Sequence, residues 1–122
     1  MEFFLHDATS EDLPGEFDLV TSSLFLHHLS VEESVRLLRA MAGAGRRILV
    51  QDLLRSAVGY GLAWATVRLI SRSHVMHVDG PRSVQAAFTL SEIREMARAA
   101  GLDRARIRWC WPERFALTWE AP

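Results

Sequence analysis

The sequence predicts an α/β fold built on a mixed sheet, and three stretches carry that expectation. Phe17–Leu29, reading FDLVTSSLFLHHL, passes from an apolar, β-branched strand through a Thr-Ser-Ser elbow into a short apolar run ending in a histidine pair. Ile48-Leu49-Val50 is continuously apolar, as in a parallel strand covered on both faces. Arg104–Trp111 and Arg114–Glu120 alternate in polarity on either side of Pro112-Glu113, the pattern of an antiparallel hairpin. Parallel strands joined by crossover helices, with an antiparallel pair at one edge, make a mixed α/β sheet. Ligands in such sheets gather beyond the carboxyl ends of the strands, so a site is expected near Thr21–His28.

Taken in order, Glu2–His6 reads as a short strand and Asp7–Glu16 as a loop turning at Pro14-Gly15. Phe17–Ser22 is the next strand. Ser30-Val31-Glu32-Glu33 is a capping box: Ser30 accepts from the amide three residues on while Glu33 reaches back. Val31, Val35, Leu38 and Met41 then recur at helical spacing, giving a helix over 31–42 that Gly43 and Gly45 stop. Arg47–Leu53 is a strand ending at Asp52. Ser56 caps a helix running to about Ser71, apolar nearly all round and therefore expected to be mostly buried. His74–Phe88 has no clean period and contains Gly80-Pro81; it reads as a loop with a helical turn over Ser83–Ala87. Thr89-Leu90-Ser91-Glu92 is a second capping box, opening a helix with Ile93, Met96, Ala97 and Ala100 on one face and Gly101 at its end. In the terminal hairpin Ile107, Trp109 and Trp111 share one face, as do Phe115, Leu117 and Trp119; the tryptophans read as core and hairpin packing.

Bulk properties narrow the function classes. At 122 residues the chain is one domain with a modest core, and 49% hydrophobic with 24% charged residues is ordinary for a globular protein. A formal net charge of −1 gives no reason to expect nucleic acid or an acidic membrane as partner. All fourteen basic residues are arginines, scattered among acids, which fits a coding bias better than a phosphate site. The single cysteine, Cys110, excludes an internal disulfide and reads as a small buried thiol. Residues 1–5 lack the basic and long apolar segments of a signal peptide, and the apolar stretch Ala57–Ile70 is too short for a bilayer. A cytoplasmic location follows as the expectation.

The run FFLHDATSEDLPGEFDLVTSSLFLHHL resembles the middle of class I S-adenosylmethionine-dependent methyltransferases, most closely the small-molecule branch. There a strand ends in Asp-Ala, an acidic loop with Leu-Pro follows, and Phe-Asp opens the next strand. ILVQDL is similar to that family's fifth strand, FTLSEIREMARAAGL to its last helix, and RIRWCWP with RFALTWE to its final hairpin. The likeness extends over essentially all 122 residues. It implies a partial Rossmann-like methyltransferase sheet, S-adenosylmethionine as cofactor and a small, fairly apolar acceptor. By position, Asp7 matches the carboxylate that meets the adenine amino group, and Ala8 its small neighbour. Thr21, Ser22 and Ser23 fall where the fourth strand ends beside the reactive methyl, and Asp52 lies on the substrate side.

The family's glycine-rich cofactor loop, and the acidic residue that holds the ribose, have no counterpart in this sequence. The chain therefore corresponds, on this resemblance, to the C-terminal two-thirds of the domain, starting at the third strand. Phe17–Ser22 is then an exposed apolar edge, and such edges pair with other chains. Two functional expectations follow: methyl transfer from a site completed within an intact protein or a homo-oligomer, or a truncated, catalytically inactive domain that acts as an oligomer or partner subunit.

For catalysis, His27 and His28 are the candidate general bases, since imidazole suits proton transfer near neutral pH. Being adjacent on a helix they point about 100° apart and cannot both face one site. The plainer reading is a partly buried histidine filling space near the helix start. Tyr60, Arg72, His77 and Arg82 are candidate contacts to the acceptor, with Arg72, Arg82 and Tyr60 suited to a polar or acidic group. His74-x-x-His77-x-Asp79 lacks a fourth ligand and is not read as a metal site.

Overall fold

The computed structural model describes residues 6–8 and 13–122. The expected strand at Glu2–His6 lies outside the described residues except for its last position. From Phe17 the elements are β1 (Phe17–Ser23), a 3₁₀ turn (Leu26–His28), α1 (Val31–Ala44), β2 (Gly45–Leu53), α2 (Ala57–Ile70), α3 (His74–Ala86), α4 (Leu90–Ala99), β3 (Arg106–Cys110) and β4 (Arg114–Glu120).

The four strands form one sheet in the order β1-β2-β4-β3. β1 and β2 are parallel, with Val20 opposite Ile48 and Ser22 opposite Val50, while β4 runs antiparallel to both β2 and β3. Among the described strands β1 pairs with β2 alone, so it forms an edge, and Leu19 is 52% exposed there. Register puts Val20, Ile48, Val50, Asp52, Phe115, Leu117 and Trp119 on one face. Against that face pack Leu37, Leu38 and Met41 of α1 and Ile93, Met96 and Ala97 of α4, closing the core. Gly45 allows β1 and β2 to come together where α1 ends: a Cβ there would stand 2.6 Å from Val20 Cγ2.

Both capping boxes form. Ser30 Oγ accepts from Glu33 N and the Glu33 carboxylate accepts from Ser30 N; Thr89 and Glu92 do the same at α4. These reciprocal bonds satisfy amides that a helix start otherwise leaves open.

Four expectations need correction. His74–Ala86 is a helix, not a loop. Pro81 removes one helical hydrogen bond at a cost of up to ~3 kcal/mol, but Pro81 and Val84 are buried and His77 is half-buried on one stripe, so packing outweighs the local breaker. α2 is mostly exposed rather than mostly buried, because α3 is its principal neighbour and Gly59 its one buried residue. Two of the hairpin tryptophans are not core: Trp109 and Trp111 are exposed, and Trp111 falls beyond the end of β3, whereas Trp119 packs half-buried against the core as expected. Cys110 is half-buried rather than buried. The remaining differences are of boundary: α1 runs on to Ala44, β2 starts at Gly45, and β3 is shorter than Arg104–Trp111.

Candidate functional site

β1 ends at Ser23, opposite Gln51, two residues before β2 ends at Leu53, and the 3₁₀ turn follows at this carboxyl edge. Leaving β1, the chain reverses at Leu24, which adopts φ +53 and donates its N–H to the Gln51 carbonyl at 2.9 Å. Leu26, fully buried in the core, anchors the turn. In a 3₁₀ turn successive side chains diverge by about 120°, so with Leu26 fixed inward the two histidines separate. His27 is buried and His28 exposed.

His27 closes on the end of β2. Its Nδ1 lies 2.6 Å from Asp52 Oδ1 and its backbone N–H donates to Asp52 Oδ2 at 3.1 Å. Leu53 N–H donates to Asp52 Oδ1 at 2.7 Å, so the carboxylate, 1% exposed, holds three donors. A carboxylate only accepts, which places the imidazole proton on Nδ1 and leaves the lone pair on Nε2. Nε2 makes no hydrogen bond among the described residues and is not sealed from solvent. The His28 ring stacks at a 40° tilt with its centroid 4.0 Å from that of His27. The arrangement is a histidine fixed in one tautomer by a buried carboxylate, with Nε2 left without a hydrogen bond among the described residues, at the carboxyl end of two parallel strands.

A second set of contacts braces the end of β2. Leu54 N–H donates to the Glu113 carbonyl at 2.9 Å, and Leu54 forms a bridge with Phe88. Ser56 Oγ donates to Glu113 Oε2 at 2.6 Å and accepts from Gly59 N–H at 2.8 Å. The β3–β4 turn and the cap of α2 are thereby locked together just beyond Asp52. Gly59 permits the contact, since a Cβ there would meet Glu113 Cβ and Ser56 Oγ at 3.0 Å. Across the same junction Arg55 pairs with Glu92.

The other candidate residues distribute unevenly. Thr21 and Ser23 are exposed and Ser22 half-buried on the last turns of β1, next to the dyad. Ala8 packs on the core and Asp7 is exposed. Asp7 lies close enough to Glu33 for their charges to oppose, yet the Ser30 backbone N–H still holds the Glu33 carboxyl below the usual glutamate range. Asp7 thus sits beside the start of α1. Asp52 is beneath His27 and reaches a ligand only through it. α3 packs against the 3₁₀ turn. His77 Nε2 is within 2.7 Å of the Ser71 carbonyl and fastens the α2–α3 connection. Tyr60, Arg72 and Arg82 are exposed on the helical hairpin, and neither arginine has an ion pair among the described residues. No group of three His, Cys, Asp or Glu among the described residues is arranged to hold a metal. The His27–Asp52 pairing was not foreseen. Its signal is positional: His27 follows the end of one strand and Asp52 lies in the last residues of the adjacent parallel strand.

No protein-family model matches the chain, and no curated protein does. Solved structures do. An O-methyltransferase family protein from Burkholderia thailandensis superposes with a TM-score of 0.65 at 20% identity, over 98% of this chain and 35% of that one. Human N-acetylserotonin methyltransferase in complex with SAM gives 0.64 at 15% identity, over 98% and 33%. An O-methyltransferase family 2 protein from Planctomyces limnophilus in complex with apigenin gives 0.58 at 16% identity, over 96% and 34%. The chain has the fold of part of these methyltransferases, and the resemblance read from its sequence is present in three dimensions at the level of the fold. It spans about a third of the length of the proteins it matches.

Proposed function

We propose that this chain carries the acid–base part of an S-adenosylmethionine-dependent methyl transfer to a small, fairly apolar acceptor. The observation that carries the reading is the His27–Asp52 pair at the carboxyl ends of β1 and β2. Methyl transfer asks the protein to align the acceptor and to take its proton. His27 Nε2 takes that proton, Asp52 holds the ring and balances the imidazolium charge, and His28 flanks the base from the solvent side.

The residues present fit the near side of the cofactor. In this reading Asp7, exposed beside the start of α1, meets the adenine amino group, the half-buried Ala8 lies next to it, and Thr21, Ser22 and Ser23 keep the strand end small and polar. When bound, the cofactor supplies an electrophilic methyl on a sulfonium. Tyr60, Arg72, His77 and Arg82 belong to the helical hairpin whose α3 lies against the 3₁₀ turn, and so border the acceptor side.

A second reading rests on the edge position of β1. Its outer backbone groups are unpaired among the described strands and Phe17 and Leu19 are exposed, which favours strand addition by a second copy or a partner chain. In that role the chain is inactive alone.

Calorimetric titration with S-adenosylhomocysteine separates the two. Micromolar binding, with methylation of a phenolic acceptor that falls at least a hundredfold in His27→Ala, supports catalysis. A cooperatively folded chain that binds no cofactor supports the second reading.

A further inference from the structure

The helical hairpin carries a feature that neither site nor core uses. Val58, Leu62, Ala65 and Leu69 recur along α2 at spacings of four, three and four residues, placing them on one stripe of the helix. That stripe faces away from α3: Val58 is 62%, Leu62 46% and Leu69 85% exposed. No acidic residue occurs in α2, and its single basic one, Arg68, folds over the Trp64 ring with the guanidinium carbon 4.1 Å from the centroid.

We propose that α2 is a self-association surface, pairing antiparallel with α2 of a second copy across a two-fold axis midway between Ala63 and Trp64. The spacing is self-complementary about that point. Val58 meets Leu69 of the second copy and Leu62 meets Ala65, so each large side chain faces a different one and the bulky Leu62 faces a methyl. On the shoulders Gly61 meets Thr66, while Gly59 stays buried against Glu113 and Ser56 and Arg68 over its own Trp64, so no like charges oppose. An isologous contact of this kind closes on itself and makes a dimer.

Continuity and charge favour a second copy over other occupants. Val58, Leu62 and Leu69, each largely exposed over three turns of one helix, form a continuous apolar stripe rather than a scattered exposed residue, and apposing it to an identical stripe removes both from water at once. An interfacial membrane helix would carry a strongly charged face opposite its apolar one. α2 has only Arg68, already committed to Trp64. A single pair of helices is expected to make a reversible rather than an obligate dimer, with a dissociation constant in the micromolar range.

The test is sedimentation velocity of the full chain from about 2 to 200 μM, bracketing that constant, with folding followed by circular dichroism. The wild type is expected to shift from monomer to dimer. Val58→Lys and Leu69→Glu, both at exposed positions, are each expected to raise the dissociation constant roughly a hundredfold by placing an unpaired charge in the contact. The double variant V58K/L69E sets the introduced ammonium of one copy against the introduced carboxylate of the other, twice across the two-fold axis. It is expected to recover to within about tenfold of wild type. A wild type that stays monomeric throughout overturns the proposal, as does a dimer indifferent to both single variants. Loss of the dimer in Leu19→Lys alone would assign it to the β1 edge instead. Binding of a monomer to neutral phosphatidylcholine vesicles would assign the stripe to lipid. Failure of recovery in the double variant would overturn the two-fold register. None of these readouts depends on methyl transfer.

Discussion

Removing either half of the His27–Asp52 pair should cost nearly as much stability as removing both. Asp52 is 1% exposed and accepts from His27 Nδ1, His27 N and Leu53 N. In Asp52→Ala the ring can escape by moving its proton to Nε2, but the two backbone donors lose their acceptor. At about 1–3 kcal/mol for each buried group left unpaired, the loss is ~2–6 kcal/mol. In His27→Ala the carboxylate keeps those backbone donors but loses the ring that covers and pairs it, a loss of about 3–5 kcal/mol. The double variant has no buried carboxylate to leave uncompensated, so it should fall short of the summed single losses by ~2 kcal/mol or more. Urea unfolding of the four proteins measures this, provided the slope of stability against denaturant stays constant. Additivity within about 0.5 kcal/mol would show the two residues to be independent and would refute the dyad.

Four further outcomes follow from local geometry. Gly59→Ala should destabilise by about 1–2 kcal/mol, seen as a lower Tm, because its Cβ would press on Glu113 and Ser56 at 3.0 Å and open the latch beyond β2. Leu117→Ala, at a fully buried position central to β4, should cost ~2–5 kcal/mol in urea unfolding, with the upper end if the site cannot collapse. Thr89→Ala should cost about 1 kcal/mol through loss of the α4 cap. The Thr89 backbone N–H, with Arg55 adding to it, holds the Glu92 carboxyl below its ordinary range. A carboxyl whose folded value is depressed stabilises the fold above its unfolded value, and that contribution fades as pH falls through the folded one. The stability gap between wild type and Glu92→Gln should therefore narrow on acidification below the ordinary glutamate range, as thermal melts across acid pH would show.

Much of the fold was legible because local signals agreed with the tertiary outcome. Ser30 with Glu33 and Thr89 with Glu92 marked two helix starts that form as read, and Ile48-Leu49-Val50 marked a strand between two neighbours. Reading failed where packing overrode a local cue. Gly80-Pro81 argued for a loop, yet His77, Pro81 and Val84 form the inner stripe of α3. The all-round hydrophobicity of α2 argued for burial, which composition alone cannot assign because burial depends on which neighbours surround the helix. The site divides the same way. His27 and Asp52 were each identified by position, but their pairing depends on a parallel register that brings Ser23 opposite Gln51, and a register is a long-range property.

The dyad also makes a prediction that needs neither cofactor nor acceptor. All three donors to Asp52 come from this chain, two from the 3₁₀ turn and one from β2 itself, and Leu26 fixes that turn in the core. The base is therefore organised before any ligand arrives, which is the condition under which positioned groups contribute most to a rate. Long-range nitrogen–proton NMR on the free protein should report His27 as the Nδ1–H tautomer, with that proton shifted downfield and slow to exchange. His28, exposed and outside the carboxylate's reach, should show the mixed tautomers of a histidine in water. Asp52→Asn is the discriminating variant. Its amide nitrogen must take one of the two oxygen positions, and in the place of Oδ1 it donates to the ring, which then turns to the Nε2–H form and offers Nδ1 as acceptor. Proton transfer from the acceptor would then lose its receiving atom while the fold survives. An Nε2–H tautomer in the wild type would refute the assignment of Nε2 as the base.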